Sequence, residues 1–239
     1  MILITAKVIA KAKEHKGRIS YYTCDITDAE GVHSLFETAT RSLRYPLRGL
    51  VCCAGVSGES PAVDYPIESF RRIVDINLCG TFSCAQAAAR VFCRQKIGGS
   101  VVLIASISGH VSNKVSSLPS DQPTKMVLNC VFQGVDTAAY NSSKAAVLQL
   151  GRSLAAEWGS RPGYPLIRVN TLSPGYIRTQ MTLGALQHPN REAEWSADNM
   201  MNRLSFADEY RGPIIFLLAD ASSFMTGADL VVDGGHTAW

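Results

Sequence analysis

Apolar residues along the 239-residue chain fall in strand-length runs separated by stretches at helical spacing. Ile19 to Cys24 is followed by Val32, Leu35, Phe36, Ala39 and Leu43, and then by the run Leu47 to Ala54. Recurrence at i, i+3 and i+4 predicts an amphipathic helix, and a short bounded apolar run predicts a buried strand. The first helix is expected to open at Thr27, because Thr27 and Glu30 have the spacing at which a hydroxyl and a carboxylate satisfy free N–H groups in a capping box. The alternation continues with a helix from about Ile67 to Phe92, a strand Ser100 to Ala105, a helix from about Tyr140 to Trp158 and a strand Ile167 to Ser173. A helix over Ala207 to Leu218 and a short strand Asp229 to Asp233 close the pattern before Gly234-Gly235. Continuous apolar strands without strict alternation suit a parallel sheet buried on both faces, so one α/β domain over 1–239 is expected. Two intervals break the rhythm: the polar stretch 110–139, and 176–206, which is rich in Met, Trp and Asn. Loops of that length inside a compact domain are usually functional or anomalous.

Composition excludes several classes. The 23 basic and 20 acidic side chains give a net charge of +3, with Lys and Arg scattered, so no electrostatic footprint for nucleic acid is expected. No run approaches the roughly 18 consecutive apolar residues of a membrane span. The opening Met1 to Lys7 has neither a long apolar core nor a small-residue cleavage site. Seven cysteines, Cys24, Cys52, Cys53, Cys79, Cys84, Cys93 and Cys130, are odd in number and lack paired metal-ligand spacing. They predict buried thiols in a reducing compartment, hence a cytoplasmic protein without a metal site.

The informative pair is Tyr140 and Lys144. At i, i+4 on a helix the phenol and the ammonium share one face, where the cation can lower the phenol's pKa and keep it as a proton donor or acceptor near neutral pH. Taken alone, the pair is weak evidence and fits a surface helix face better. Its surroundings shift the balance. The run Val101 to Ala105 leads into Ser106-Ile107-Ser108-Gly109, and Arg168-Val169-Asn170 leads into Ser173-Pro174-Gly175-Tyr176-Ile177-Arg178-Thr179. Both hydroxyl-bearing turns follow a strand's carboxyl end, where open α/β sheets place their ligands.

Strand-Ser, Tyr-x-x-x-Lys and Ser-Pro-Gly together resemble the short-chain dehydrogenase/reductase family. Cys24-Asp25-Ile26-Thr27-Asp28, Cys53-Ala54-Gly55, Asp75-Ile76-Asn77-Leu78 and the segment from Leu217 to Gly235 resemble four further family motifs, in order, over roughly 15–239. Asn199-Met200, Asn202-Arg203, Ser222 to Gly227 and the end Gly235 to Trp239 look similar to fungal polyol dehydrogenases and ketose reductases of the arabinitol, sorbose and xylulose type. The resemblance implies a Rossmann-like doubly wound parallel sheet and hydride transfer between a nicotinamide coenzyme, NAD or NADP with NADP slightly favoured, and a small alcohol or ketone. It implies that Tyr140 exchanges a proton with the substrate oxygen and that Lys144 depresses the tyrosine pKa and contacts the nicotinamide ribose. Ser106 would hold the carbonyl oxygen, with Ser108 its rival. Asn77 would orient the lysine through a water, or else serve as a helix-interior amide bonded to nearby backbone. Asp25, Ala54, Gly55, Pro174, Gly175, Ile177 and Thr179 correspond to coenzyme contacts, although Asp25 also reads as a solvated strand-end carboxylate. The helices near Ile67–Phe92 and Tyr140–Trp158, with Ala85, Ala87, Ala88, Ala145 and Ala146, imply a homodimer or homotetramer; burial against the chain's own sheet is the alternative.

The chain departs from the family pattern in three places. Nothing before Asp25 reads Gly-x-x-x-Gly-x-Gly, the turn that meets a pyrophosphate at a helix N-terminus. Met1 to Lys16 corresponds to the tail of the family's second strand or the helix after it, so the sheet is expected to be incomplete, lacking the first strand, first helix and most of the second strand. On that expectation a catalytically silent binding or oligomer-partner protein stands as the alternative to an enzyme. Cys53 stands where the family usually has Asn. The interval from Ser106 to Tyr140 is 34 positions, and removing the 19 residues 115–133 leaves 15. Lys114-Val115-Ser116, Leu128-Asn129 and Phe132-Gln133 can be encoded by donor, branch and acceptor signals, which suggests a translated short intron; a natural surface insertion is the alternative.

Overall fold

A computed structural model describes residues 6–112 and 136–239. The proposed insertion 115–133 lies outside the described residues. In chain order the main elements are α1 (Ala6–Glu14), α2 (Ala29–Arg41), β1 (Gly49–Cys52), α3 (Ile67–Val74), α4 (Thr81–Gln95), β2 (Gly99–Ile104), α5 (Ala138–Trp158), β3 (Ile167–Pro174), β4 (Ile177–Arg178), α6 (Leu183–Leu186), α7 (Arg191–Ala197), β5 (Ser205–Phe206), α8 (Arg211–Leu218) and β6 (Asp229–Val232). Strands β1, β2, β3 and β6 form a parallel sheet in that order, with Val51 beside Val102, Val102 beside Asn170 and Leu172 beside Leu230.

Both faces of this sheet are covered, which explains the absence of polar alternation in its strands. Val101, Leu103 and Val169 pack against Ala85, Ala88 and Phe92 of α4 and Val147 and Leu154 of α5, with Phe36 of α2 outside them. The alternate residues Val102 and Leu172 meet Leu217 of α8 and Tyr210. Helices on both faces make the fold Rossmann-like, as expected. The predicted Ile67–Phe92 helix is continuous but locally widened: Asp75–Gly80 forms a π-helical turn between α3 and α4. Such turns displace side chains from the regular helical rows, and here the turn carries Asn77.

Several expectations are corrected. Ile19–Cys24 forms no strand; Ile19, Tyr21 and Tyr22 are exposed, because no described strand offers that segment a hydrogen-bonding partner. Helix α2 is capped by Asp28, whose carboxylate accepts from the Gly31 N–H at 3.0 Å, and not by a Thr27–Glu30 box. Thr27 is engaged by Asp25 instead. Of the described cysteines, all free, only Cys52 is buried, and Cys53 and Cys79 are exposed. Apart from these corrections, Ala85, Ala87 and Ala88 are buried, and Ala145 is exposed.

Candidate active site

The site is built where the carboxyl ends of β1, β2 and β3 meet the first turns of α5. After β2 the chain enters a 3₁₀ turn, Ile107–Gly109, capped by Ser106, whose hydroxyl oxygen accepts from the Ser108 N–H at 3.1 Å. This turn lies directly against α5: a Cβ on Gly109 would fall 2.9 Å from the Lys144 carbonyl carbon. Close backbone approach sets the Ser106 hydroxyl and the Tyr140 phenol on one cavity wall, where the hydroxyl favours the ionised phenol. One helical turn on, Lys144 is buried, its Nζ 5.7 Å from the centre of the Tyr140 ring and donating to the Ile104 carbonyl at 2.7 Å.

Burial controls both titrating groups. It pushes the Tyr140 phenol up, with the Ser106 hydroxyl offsetting part of the rise. It lowers the Lys144 ammonium to about 8, against an opposing pull from the Cys53 thiol. The expected lowering of the Tyr140 pKa by Lys144 is therefore not what the free protein shows. A desolvated ammonium turned toward a carbonyl leaves desolvation of the phenolate as the larger effect.

Asn77 is wholly buried beneath the turn that follows β1. Its Oδ1 accepts from the Val56 N–H at 2.8 Å, and its Nδ2 donates to the Val56 carbonyl and to Ser143 Oγ, both at 2.9 Å. Ser143 Oγ donates in turn to the Tyr140 carbonyl at 2.7 Å. Asn77 thus fastens the Gly55–Val56 backbone to the start of α5. Gly55 lies between Asn77 and Lys144, since a Cβ there would stand 3.3 Å from Asn77 Oδ1 and 3.6 Å from Lys144 Nζ.

Ser106, Ser108, Tyr140, Lys144, Gly55, Pro174, Gly175, Ile177 and Thr179 all line one open cavity of about 840 Å³. Asp25 does not reach it. Its carboxylate accepts the N–H and hydroxyl of Thr27 at 2.9 and 2.8 Å, and it borders a separate hollow with Arg71, Arg72 and Asp75. Ala54 is exposed and lies outside the cavity lining, although both of its neighbours, Cys53 and Gly55, belong to it. Within 176–206 the sequence points to Ile177 and Thr179, and the structure adds others. From that segment Tyr176, Met181, His188, Pro189, Arg191 and Trp195 form much of the remaining wall. Their signal was the aromatic and Met content of an otherwise loop-like stretch.

The cavity fits the nicotinamide end of a dinucleotide. Gly55 and Gly175 both line it, and Gly175 is required by packing, since a Cβ there would come within 2.8 Å of Asp233 Cα. Lys144 provides a cationic donor beside them. Among the described residues no three His, Cys, Asp or Glu side chains gather as metal ligands, and no helix is long and apolar enough to cross a membrane.

Two family models match the chain: "short chain dehydrogenase" over residues 4–118 and "Enoyl-(Acyl carrier protein) reductase" over 124–237. The short-chain dehydrogenase/reductase notP' of Aspergillus versicolor is 53% identical over 228 residues, covering 95% of this chain and 72% of that protein. The ribulose-forming D-arabinitol 2-dehydrogenase of Candida tropicalis is 37% identical over 225 residues, covering 93% of this chain and 72% of that one. Among solved structures, a short-chain type dehydrogenase/reductase from Mycobacterium marinum superposes with a TM-score of 0.83 at 32% identity, over 98% of this chain and 82% of the other. The fold and the cavity define an NAD(P)-dependent oxidoreductase. The chain belongs to the short-chain dehydrogenase/reductase family.

Proposed function

We propose that the substrate is a small polyol or ketose, or a related secondary alcohol or ketone, and that Ser106, Tyr140 and Lys144 carry the reaction. The observation that supports this most is the convergence of the three on one cavity. The likeness to D-arabinitol 2-dehydrogenase points to the substrate class.

NAD or NADP, when bound, supplies or accepts the hydride. Gly55, Pro174, Gly175, Ile177 and Thr179, with Tyr140 and Lys144, would hold its nicotinamide end. Tyr140 gives its proton to the carbonyl oxygen in reduction and takes it back in oxidation. Ser106 donates to the same oxygen and keeps it in line with the phenol. Lys144 offers positive charge beside the phenolate as it forms, and burial keeps that charge effective. Asn77 acts as a positioning residue by holding the Gly55–Val56 backbone and, through Ser143, the first turn of α5.

The purified 239-residue chain is to be incubated with NADPH or NADH and D-ribulose, L-xylulose or L-sorbose while coenzyme absorbance is followed. Ketose-dependent coenzyme oxidation is the expected result, and its absence with all three ketoses overturns the reading. We also propose a cytoplasmic protein that self-associates through α4 and α5, whose outer faces leave Phe82 exposed beside a hollow bordered by Leu150 and Trp158. Light scattering at micromolar concentration that shows a monomer rules out the self-association.

A further inference from the structure

A polar cluster that does not line the cavity joins β3, β6 and the turn after β2. Asp229 opens β6 beside Thr171 of β3. Its Oδ1 accepts from Thr171 Oγ1 at 2.6 Å and from Ser173 Oγ at 3.0 Å. Its Oδ2 lies 2.8 Å from His110 Nε2, which also stands 3.3 Å from Ser173 Oγ. A carboxylate can only accept, so His110 Nε2 carries the proton and donates. The cluster brings Ser, His and Asp together without making a nucleophile. Ser173 is wholly buried and its hydrogen goes to Asp229. Serine and carboxylate also meet the same ring nitrogen, whereas a hydrolytic triad uses opposite ones.

What the cluster holds is the turn that carries Ser106. Residues Ile107–Gly109 form this turn, with Ser106 at its start and His110 at its end. The Gly109 N–H donates to the Ser106 carbonyl at 2.9 Å and the His110 N–H to the Ile107 carbonyl at 2.8 Å. Short 3₁₀ turns have poor hydrogen-bond geometry, so ties outside the turn decide where it sits. Ahead of it, the Ala105 N–H donates to the Leu172 carbonyl of β3 at 2.8 Å, and the sheet fixes the incoming chain. Behind it, the His110 ring reaches Asp229 of β6. Helix α5 stops the inner side, where Gly109 already rests on the backbone of Lys144. Two ties and one backing surface leave the Ser106 hydroxyl a single position. With the His110 tie removed, the turn is free to swing away from α5.

We propose that His110 is a positioning residue: by donating to Asp229 it holds the Ser106 turn against α5, and so aligns the Ser106 hydroxyl with the substrate oxygen that Tyr140 protonates. The inference rests on the roles given above to Ser106 and Tyr140 and adds the group that keeps one in register with the other.

The 239-residue chain and its His110→Leu and His110→Gln variants are to be compared in D-ribulose reduction and in amide hydrogen exchange followed by NMR. Leucine fills the space without a donor, and glutamine offers an amide N–H at a reach similar to that of Nε2. His110→Leu should lower kcat about tenfold, within the cost of a small misplacement of a reacting contact. Coenzyme KM should stay within about twofold, because none of the residues that would hold the coenzyme is on this turn. The Ser108 and Gly109 amides, which precede the substituted position, should exchange about tenfold faster, with the β2 amides of Val102 to Ile104 unchanged. His110→Gln should return kcat and exchange to the parent values. Unaltered kcat in His110→Leu, a glutamine variant as slow as the leucine variant, coenzyme KM rising in step with the fall in kcat, or unchanged exchange at Ser108 and Gly109 each overturns the proposal. Should His110→Leu not fold, His110→Glu takes its place at about pH 8, where the carboxylate matches glutamine in size and has no proton to donate. If the parent reduces no ketose, the substrate reading fails by itself and exchange alone decides the tie. Faster Ser108 and Gly109 exchange in the leucine variant then upholds it, and equal exchange overturns it.

Discussion

Lys144 donates from Nζ to the carbonyl oxygen of Ile104, 40 residues earlier, at 2.7 Å, and this one bond joins the Tyr140–Lys144 face of α5 to the end of β2. The backbone acceptor partly compensates burial of the ammonium. It also places the side chain beneath the Tyr140 ring before any ligand arrives. A lysine fixed in this way costs less to organise when coenzyme binds than one free in solvent.

Tyr140→Phe retains the ring and deletes the transferable proton. Steady-state kinetics should show kcat reduced by about 10²-fold or more, the scale of general acid–base catalysis, while a coenzyme titration gives an affinity close to that of the parent. Lys144→Ala should weaken both. Near-full kcat in Tyr140→Phe removes the proton-donor assignment.

The depressed Lys144 pKa has a sign that stability measurements can read. In the unfolded chain the ammonium titrates near its ordinary 10.5, and in the folded protein near 8. Between those values the unfolded state binds more protons, so this group's contribution to stability rises with pH across the window and is lost as pH falls through about 8. Urea unfolding of the parent and of Lys144→Met at pH 7 and pH 10 isolates the effect, because the other titrating groups are common to both. The parent should gain relative to the variant at the higher pH; a difference that does not change with pH removes the linkage.

Asn77→Ala leaves the buried Val56 N–H and carbonyl and the Ser143 hydroxyl without a shared partner. At about 1–3 kcal/mol for each buried group left unsatisfied, the variant should unfold at clearly lower urea. Its kcat should fall as well, because the Gly55 turn and the first turn of α5 lose their tie. A urea midpoint equal to the parent's contradicts the positioning role.

Arg168 enters β3 with its guanidinium donating to the carbonyls of Leu217, Ala219 and Met225 and to Ser222 Oγ, at 3.0–3.2 Å. It closes the carboxyl end of α8, where the last carbonyls lack helical partners. Arg168→Met keeps much of the bulk and should cost about 3 kcal/mol by breaking this buried network, lowering the thermal midpoint by about 6–12 °C. Calorimetry showing a shift under about 2 °C makes the network dispensable.

The sequence alone determined the α/β rhythm, because parallel strands buried on two faces must be continuously apolar and their helices must carry a stripe at 3.6-residue spacing. Thus Ser100–Ala105, Tyr140–Trp158 and Ile167–Ser173 were legible nearly to the residue. The shared helix face of Tyr140 and Lys144 was legible too, since i, i+4 spacing is a local property, while the choice of Ser106 came from the family resemblance; that all three line one cavity is a tertiary fact. Ile19–Cys24 has the pattern of a strand and forms none, because strand formation depends on a partner that no local pattern reveals. Thr27 was misassigned because two adjacent side chains, Asp25 and Asp28, compete for the same turn, and only their placement decides which one caps. The tertiary structure alone decided that Asn77 reaches Val56 and Ser143 and that Asp25 stands outside the cavity. It alone brought His110 to Asp229 and Ser173. These relations join residues far apart in the chain, and distance across a fold is set by packing, not by spacing along the sequence.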